Sequence, residues 1–216
     1  MFKNDITFLH TAEVHIETFS TLVEQQLNIT SQHIVKSELL EEAINNGVST
    51  ALENNIEQLC LEIAKESQLV VCTCSTLGQI AEKVMLENGS YVIRIDRAMA
   101  DLAVTTGNRI LVLAALQSTL EPTTYLMSSS QQNQQTENVI TYCLVDNCWD
   151  YFLQGEQNTY LQSIADVIEQ KQSDYDCIVL AQASMAGAIE LIKYKRAPIL
   201  SSPEIGVAAL VKVLVK

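Results

Sequence analysis

Short apolar runs alternate with longer amphipathic stretches along the whole chain. The short runs are rich in β-branched residues, which predicts strands. They are Ile6–His10, His33–Val35, Leu69–Thr73, Tyr91–Ile95, Ile110–Leu113, Val139–Val145 and Cys177–Leu180. The Leu69–Thr73 run does not alternate with polar residues, as expected for a strand buried on both faces of a parallel sheet. Strands that alternate with helices indicate an α/β fold with crossover helices.

Helical periodicity fills most of the segments between these strands. The predicted helices carry apolar stripes, break or end near asparagine and glycine, and include a final helix at the C-terminus. Their markers are Val14, Phe19, Leu22 and Val23; a break at Asn45–Gly47; Leu52, Ile56, Leu59 and Ile63; a helix from Thr76 to Asn88-Gly89; and Ile205–Val215. The polar segment Ser128–Asn138 favours a flexible connection or a frayed helix end, with a functional lid as the alternative.

Two pairs of segments repeat in the same order along the chain. Ile6–Leu9 is matched by Ile110–Leu113, and each run leads into a turn with hydroxyl residues and a helix. Val70–Leu77 is matched by Ile178–Met185, again a buried strand, a small polar turn and a helix. The order of these segments predicts a duplicated half.

Composition and charge narrow the class of protein. Hydrophobic residues make up 48% of the 216 residues, so a sizeable core can form. The sequence contains no run of about 18 apolar residues of the kind that spans a membrane. The N-terminal residues lack the pattern of a signal peptide, so a cytoplasmic location is expected. The net charge is -13, and the one basic cluster is Lys193, Lys195 and Arg196. Neither nucleic acid nor a membrane surface is an expected partner.

The six cysteines are predicted to be free thiols, because a disulfide framework belongs to small secreted chains. Cys72 and Cys74 flank one residue, but no second Cys/His pair follows at zinc-site spacing. The pattern therefore does not indicate a metal.

Four polar segments follow predicted strands, at the edge of a parallel sheet where ligands bind. They are His10–Glu13, Cys74–Thr76, Ser118–Thr119 and Gln182–Ser184. Hydroxyls and unpaired N–H groups at helix starts suit an anion, and with seven glycines in the chain a carboxylate fits better than a phosphate. Cys74 lies at such a turn, where a helix N-terminus can lower a thiol pKa from about 8.5. A small buried core residue is the alternative role.

The same segments resemble the aspartate/glutamate/hydantoin racemase superfamily. Val71–Thr76 (VCTCST) is similar to that family's first catalytic-cysteine motif, in which Cys is followed by Asn or Ser and then Thr. Leu113–Thr123 resembles the segment that opens the family's second half, and Pro198–Pro203 the segment before its last helix. Leu180–Met185 (LAQASM) falls where the family has Gly-Cys-Thr/Ala.

The resemblance implies two pseudo-symmetric αβα halves with parallel sheets and a cleft between them. It also implies a cofactor-free mechanism in which two cysteines exchange protons with the substrate's α-carbon. The chain departs from this pattern at the position of the second cysteine, which is occupied by Gln182. An amide has no proton to exchange near neutral pH, so Gln182 cannot act as the second acid or base. It also has His10-Thr11 where many members have Asp-Ser or an Asn-rich turn.

The domains expected are 1–96 with 198–216, and 97–197. The expected activity is cofactor-independent proton transfer next to the carboxylate of a small amino or dicarboxylic acid, with Cys74 as the single thiol base or nucleophile. A racemase with another second acid, a one-cysteine decarboxylase and a binding protein without turnover remain open. The expected ligand-binding residues are Thr11, Ser75, Thr76, Ser118, Thr119, Gln182, Ala183 and Ser184, and the accessory candidates are His10, Asp96 and Tyr125. Ser49–Ser67 is a candidate surface for a homodimer contact.

Overall fold

The computed structural model describes residues 2–86 and 89–214. Its strands are β1 (Asn4–His10), β2 (Ser31–Val35), β3 (Ser67–Cys72), β4 (Tyr91–Arg94), β5 (Arg109–Ala114), β6 (Val139–Leu144), β7 (Cys177–Leu180) and β8 (Ile199–Ser201). Its α-helices are α1 (His15–Leu27), α2 (Ser37–Asn46), α3 (Thr50–Ala64), α4 (Gly78–Ala81), α5 (Arg97–Thr106), α6 (Leu120–Gln134), α7 (Cys148–Leu153), α8 (Gln157–Lys171) and α9 (Ser202–Leu214). Among these described residues, no helix is both long enough and apolar enough to cross a membrane.

The strands form two parallel sheets of four strands each. One has the order β2-β1-β3-β4 and the other the order β6-β5-β7-β8. The second order repeats the first with every strand number raised by four. The two sequence pairs that predicted a duplication are β1 with β5 and β3 with β7, and each pair holds the same place in its sheet. The predicted α/β fold with two parallel sheets is therefore confirmed.

The chain divides into two compact units. One falls within Met1–Arg97 and Pro203–Lys216, and the other is Ala98–Ser202. The chain therefore passes from the first unit to the second within α5 and returns at the start of α9.

In the first unit, β1 and β3 form the centre of the core. Leu69, Val70 and Val71 are all fully buried, which is why this part of β3 carries consecutive apolar residues. On one face, α2 and α3 pack against the sheet, and α3 contributes the predicted stripe of Leu52, Ile56 and Ile63, with Leu59 partly buried beside it.

In the second unit, β5 and β7 occupy the equivalent central places. Residues 110–114 and 177–180 are fully buried. Helix α8 covers one face with Tyr160, Ile164 and Ile168, at the spacing of one helical stripe. Both central strands thus end in a buried position, and the residues that follow them are held at the sheet edge.

Two segments differ from their prediction. The helix expected from Thr76 to Asn88-Gly89 is only the single turn α4, because Val84 and Leu86 leave the helical path to pack against the core; Asn88 itself lies outside the described residues. Ser128–Asn138 is not a flexible connection over its first part, since α6 continues to Gln134 and closes at Gln135 in the left-handed conformation. Buried Met127 and Ser130 on its inner side hold that polar helix in place.

The last helix packs closely against the end of the first sheet through Gly206. A Cβ added there would lie 2.4 Å from the backbone oxygen of Ile95 and 2.6 Å from its Cδ1. Gly206→Ala is therefore expected to lower the free energy of unfolding by about 1–3 kcal/mol, because helix and strand end must separate. Urea denaturation measures this, with Ala208→Ser on the exposed side of α9 as control; equal stability of both variants would contradict the close contact.

Candidate active site

Cys74 lies in the turn that joins β3 to α4. Thr73 continues the β-ladder through its N–H to the Leu9 carbonyl, and Leu77 N–H closes the turn onto the Cys74 carbonyl at 3.2 Å. Cys74 keeps 9% of its surface exposed. The predicted position at the carboxyl edge of a central strand is thus the observed one, in the first unit.

Three hydrogen-bond donors surround the Cys74 sulfur. They are the Thr11 hydroxyl, the backbone N–H of Thr76 and the backbone N–H of Leu77, which is shared with the Cys74 carbonyl, and each of them lowers the thiol pKa. Burial has the larger, opposite effect, and the Asp96 carboxylate adds to it, so the Cys74 pKa lies above its ordinary value. Cys74 is therefore a neutral thiol near pH 7.

The start of helix α4 does not bring the Cys74 pKa below its ordinary value. Helix α4 is one turn long, and a single turn sums few peptide dipoles. What remains is the local contribution of two N–H groups, which does not offset the loss of water around the sulfur.

All six thiols are free, as predicted. Besides Cys74, the thiols of Cys60, Cys72, Cys148 and Cys177 are buried, and Cys143 is half-buried. Burial raises the pKa of Cys60 to about 12, raises those of Cys148 and Cys177 to about 11, and holds that of Cys72 far above its usual value. Cys72 Sγ donates to the Cys74 carbonyl at 3.7 Å, so it supports the turn from inside the strand.

His10 is fully buried at the end of β1, and both of its ring nitrogens are engaged. Nδ1 lies 2.8 Å from Thr73 Oγ1, and Nε2 lies 2.8 Å from His33 Nδ1. Thr73 Oγ1 donates its one hydrogen to the Leu9 carbonyl at 3.3 Å, so it accepts from His10 Nδ1–H. A neutral His10 then accepts at Nε2 from His33. His10 thus binds the residue before Cys74 rather than offering a free nitrogen to a substrate.

The bonding continues outward from His33. Its Nε2 accepts from two hydroxyls, those of Ser20 and Ser31, each at 2.9 Å. Burial lowers the pKa of His10 to about 3 and that of His15 to about 4, and it also lowers that of His33. The three histidines are therefore neutral at pH 7. Together with Thr73 they are here called the histidine cluster, which consists of His10, His15, His33 and Thr73.

Asp96 does not face a ligand through a free oxygen. Its Oδ1 accepts from Arg94 Nε at 2.6 Å and its Oδ2 accepts from Arg94 Nη2 at 2.9 Å, with both side chains buried. Sequence reasoning missed Arg94. An arginine inside the apolar run Tyr91–Ile95 was the available signal, because a buried charge needs a partner and Asp96 is two residues away.

The remaining candidates lie in the second unit. Gln182 Oε1 accepts from the Ala115 N–H at 2.6 Å, which ties the end of β7 to the end of β5 and turns the NH₂ group of Gln182 the other way. Ser184 Oγ is bonded to Tyr160 Oη at 2.8 Å. Thr119 and Ala183 are buried, Ser118 is half-buried, and Tyr125 on α6 is 47% exposed.

The structure thus brings the candidates together in two groups, each at the carboxyl edge of its own sheet. Thr11, Cys74, Ser75 and Thr76 form the first group, and Ser118, Thr119, Gln182, Ala183 and Ser184 follow β5 and β7 in the second unit. Within the described residues, no three His, Cys, Asp or Glu side chains are arranged to hold a metal ion.

The two-sheet architecture is that of known racemases. Aspartate racemase from Picrophilus torridus shares it with a TM-score of 0.69 and 18% identity over 99% of this chain and 95% of that one. Glutamate racemase from Bacillus anthracis has a TM-score of 0.71 and 14% identity, over 99% of this chain and 82% of that one. A mutant of arylmalonate decarboxylase in a sulfate-associated form has a TM-score of 0.61 and 10% identity, over 97% of this chain and 93% of that one.

No protein-family model matches the sequence, and no curated protein sequence matches it either. At these identities the structural likeness establishes the fold, so the chemistry of this chain depends on its own residues.

Proposed function

We propose that the protein is a divergent member of the aspartate/glutamate racemase superfamily and catalyses cofactor-independent proton transfer at the carbon next to a carboxylate. The substrate class is a small amino or dicarboxylic acid, and Cys74 is the single thiol that exchanges the proton. One observation carries the proposal: a thiol at the carboxyl edge of a central parallel strand, with the donors Thr11, Thr76 and Leu77 directed at its sulfur.

These donors suit a sulfur that alternates between thiol and thiolate. In the resting protein, burial keeps the proton on Cys74. When that proton passes to solvent, the Thr11 hydroxyl and two backbone N–H groups are already in place to donate hydrogen bonds to the thiolate, so little reorganisation is needed. The thiolate can then remove the α-proton of a bound acid, exchange it with solvent at the sulfur, and return a solvent-derived proton to the α-carbon.

The use of a single thiol restricts the stereochemical outcome. The residue at the position of the resembled family's second cysteine is Gln182, whose amide has no exchangeable acidic proton near neutral pH, so Cys74 is the one thiol available to the step. Proton return therefore comes from the sulfur that removed the proton, on the same face of the α-carbon. This predicts α-proton exchange with retained configuration as the main event, and inversion only where another acid supplies the second proton.

The raised pKa of Cys74 specifically favours a second candidate, one-thiol decarboxylation. In that reaction the bond between the α-carbon and one carboxylate of a malonate-type acid breaks, carbon dioxide leaves, and the electron pair stays on the α-carbon. The Cys74 proton then bonds to that carbon, and the thiolate regains a proton from solvent. A thiol that holds its proton at neutral pH is prepared for this order of events.

Proton NMR in D₂O, with purified protein and a panel of small amino, hydroxy and substituted dicarboxylic acids, tests the proposal. Loss of an α-proton signal with the carbon skeleton intact supports reversible proton transfer. Loss of one carboxylate with release of carbon dioxide supports the decarboxylase. Ligand line-broadening without exchange or conversion would contradict both and leave a carboxylate-binding protein.

A further inference from the structure

Arg94 is a buried charge directly behind the turn that carries Cys74. It is the last residue of β4, its side chain is fully buried, and its backbone is paired in register with Cys72. Removing a guanidinium and a carboxylate from water has a large desolvation cost, so a buried ion pair is weak evidence of a gain in stability. The contacts of Arg94 with its surroundings indicate another role.

The guanidinium contacts the Cys74 turn on both sides of the two residues that bond the sulfur. Before them, Arg94 Nη2 donates to the Ser75 carbonyl at 3.4 Å. After them, a Cβ on Gly78 would lie 2.9 Å from Arg94 Nε and 3.0 Å from Cζ, so the turn is packed against the guanidinium plane and only glycine fits there. Thr76 and Leu77, whose N–H groups point at Cys74, lie between these two contacts.

Asp96 fixes the guanidinium in this position. The pair is bidentate, with Nε and Nη2 each bonded to a different carboxylate oxygen. That geometry leaves the plane of Arg94 little freedom to rotate. Nη1 is buried and has no hydrogen-bond partner among the described residues, so the pair is not arranged to satisfy every donor. The arrangement instead favours the contacts with Asp96 and the turn.

We propose that Arg94, held by Asp96, is the positioning residue for Cys74: it fixes the Ser75–Gly78 turn so that the Thr76 and Leu77 N–H groups point at the sulfur. Arg94 acts through the turn, since its hydrogen bonds go to Asp96 and to the Ser75 carbonyl. This inference rests on the proposed function of Cys74. Its test measures the apparent pKa of the Cys74 thiol, which requires no substrate turnover.

The sign of one substitution separates positioning from a simple charge effect. Asp96 carries a negative charge that raises the Cys74 pKa, so if charge alone mattered, Asp96→Asn would lower that pKa. If Asp96 fixes Arg94, the same variant loosens the turn, weakens the N–H donors and raises the apparent pKa of Cys74. Under the proposal, Arg94→Met also raises the apparent pKa of Cys74. Arg94→Lys raises it as well, because lysine keeps the positive charge but cannot form the bidentate pair with Asp96.

The experiment follows alkylation of Cys74 by iodoacetamide between pH 6 and 11, with peptide mass spectrometry to assign the modified residue and circular dichroism to confirm folding. We expect Asp96→Asn to raise the apparent pKa by about one unit, a tenfold loss of thiolate at a given pH. Arg109→Met, which breaks the exposed pair with Asp176 in the other unit, is the matched control and should leave it unchanged. A fall in the pKa of Asp96→Asn, or no change, would overturn the proposal; this conservative variant keeps the test valid even where Arg94→Met does not fold.

Discussion

Cys74→Ser is expected to lower the rate of α-proton exchange or decarboxylation by about 10²–10⁴-fold, the usual range for loss of a positioned acid–base group. The serine hydroxyl can still accept the hydrogen bonds of the turn, but it is a far weaker acid than a thiol and neither gives up nor takes a proton readily. Initial rates by NMR, under identical substrate concentrations, measure the loss. The effect is on the chemical step, so substrate binding should be largely retained.

Cys143→Ser is the matched control for that variant. Cys143 is a free, half-buried thiol in β6 of the other unit. Cys143→Ser therefore makes the same replacement of sulfur by oxygen at a position outside the Cys74 turn. Its rate should equal that of the unaltered protein. Equal rates for Cys74→Ser and Cys143→Ser would remove Cys74 from the mechanism.

Acid is expected to unfold the protein through the histidine cluster. An unfolded histidine titrates near pH 6.5, whereas burial lowers the pKa of His10 to about 3 and that of His15 to about 4. As the pH falls below 6.5 the unfolded chain therefore binds these protons first, and stability that is present above pH 6.5 is lost progressively toward the folded values. His10 alone accounts for about 3 kcal/mol between pH 7 and pH 4.

Protonation also breaks the hydrogen bonds that join the strand ends. A charged His10 donates at both nitrogens, so it can no longer accept from His33 Nδ1. Urea denaturation at several pH values between 4 and 7 measures the loss.

His10→Asn is the comparison, because an amide keeps a donor and an acceptor but does not titrate. The stability of this variant should depend on pH less steeply than that of the unaltered protein, by about one proton over the range. Identical slopes for the two proteins would show that the carboxylates of this acidic chain, rather than His10, cause the acid sensitivity.

The sequence was sufficient for those parts of the fold that depend on local pattern. The unalternated run at Leu69 predicted a strand buried on both faces, and the order of paired segments predicted two sheets of the same kind. The position of Cys74 at a strand end followed from the same pattern, since the carboxyl edge of a parallel strand is fixed once the strand is recognised.

What the sequence could not supply depends on contacts between distant segments. The histidine cluster forms because β1 lies between β2 and β3, which brings His33 and Thr73 to either side of His10. The raised pKa of Cys74 follows from its burial at the end of β3, next to a turn in which Gly78 packs against Arg94. The shortness of α4 depends on Val84 packing into the core, which outweighs the helical periodicity of its segment.

The most direct test of single-thiol proton transfer is the ratio of deuterium uptake to inversion at the α-carbon of one substrate in D₂O, followed by NMR and chiral chromatography from the first turnovers. Deuterium is expected to enter with retained configuration well ahead of inversion, because one sulfur removes and returns the proton on one face of the α-carbon. Inversion that keeps pace with deuterium uptake would show a second acid on the opposite face and contradict the single-thiol mechanism.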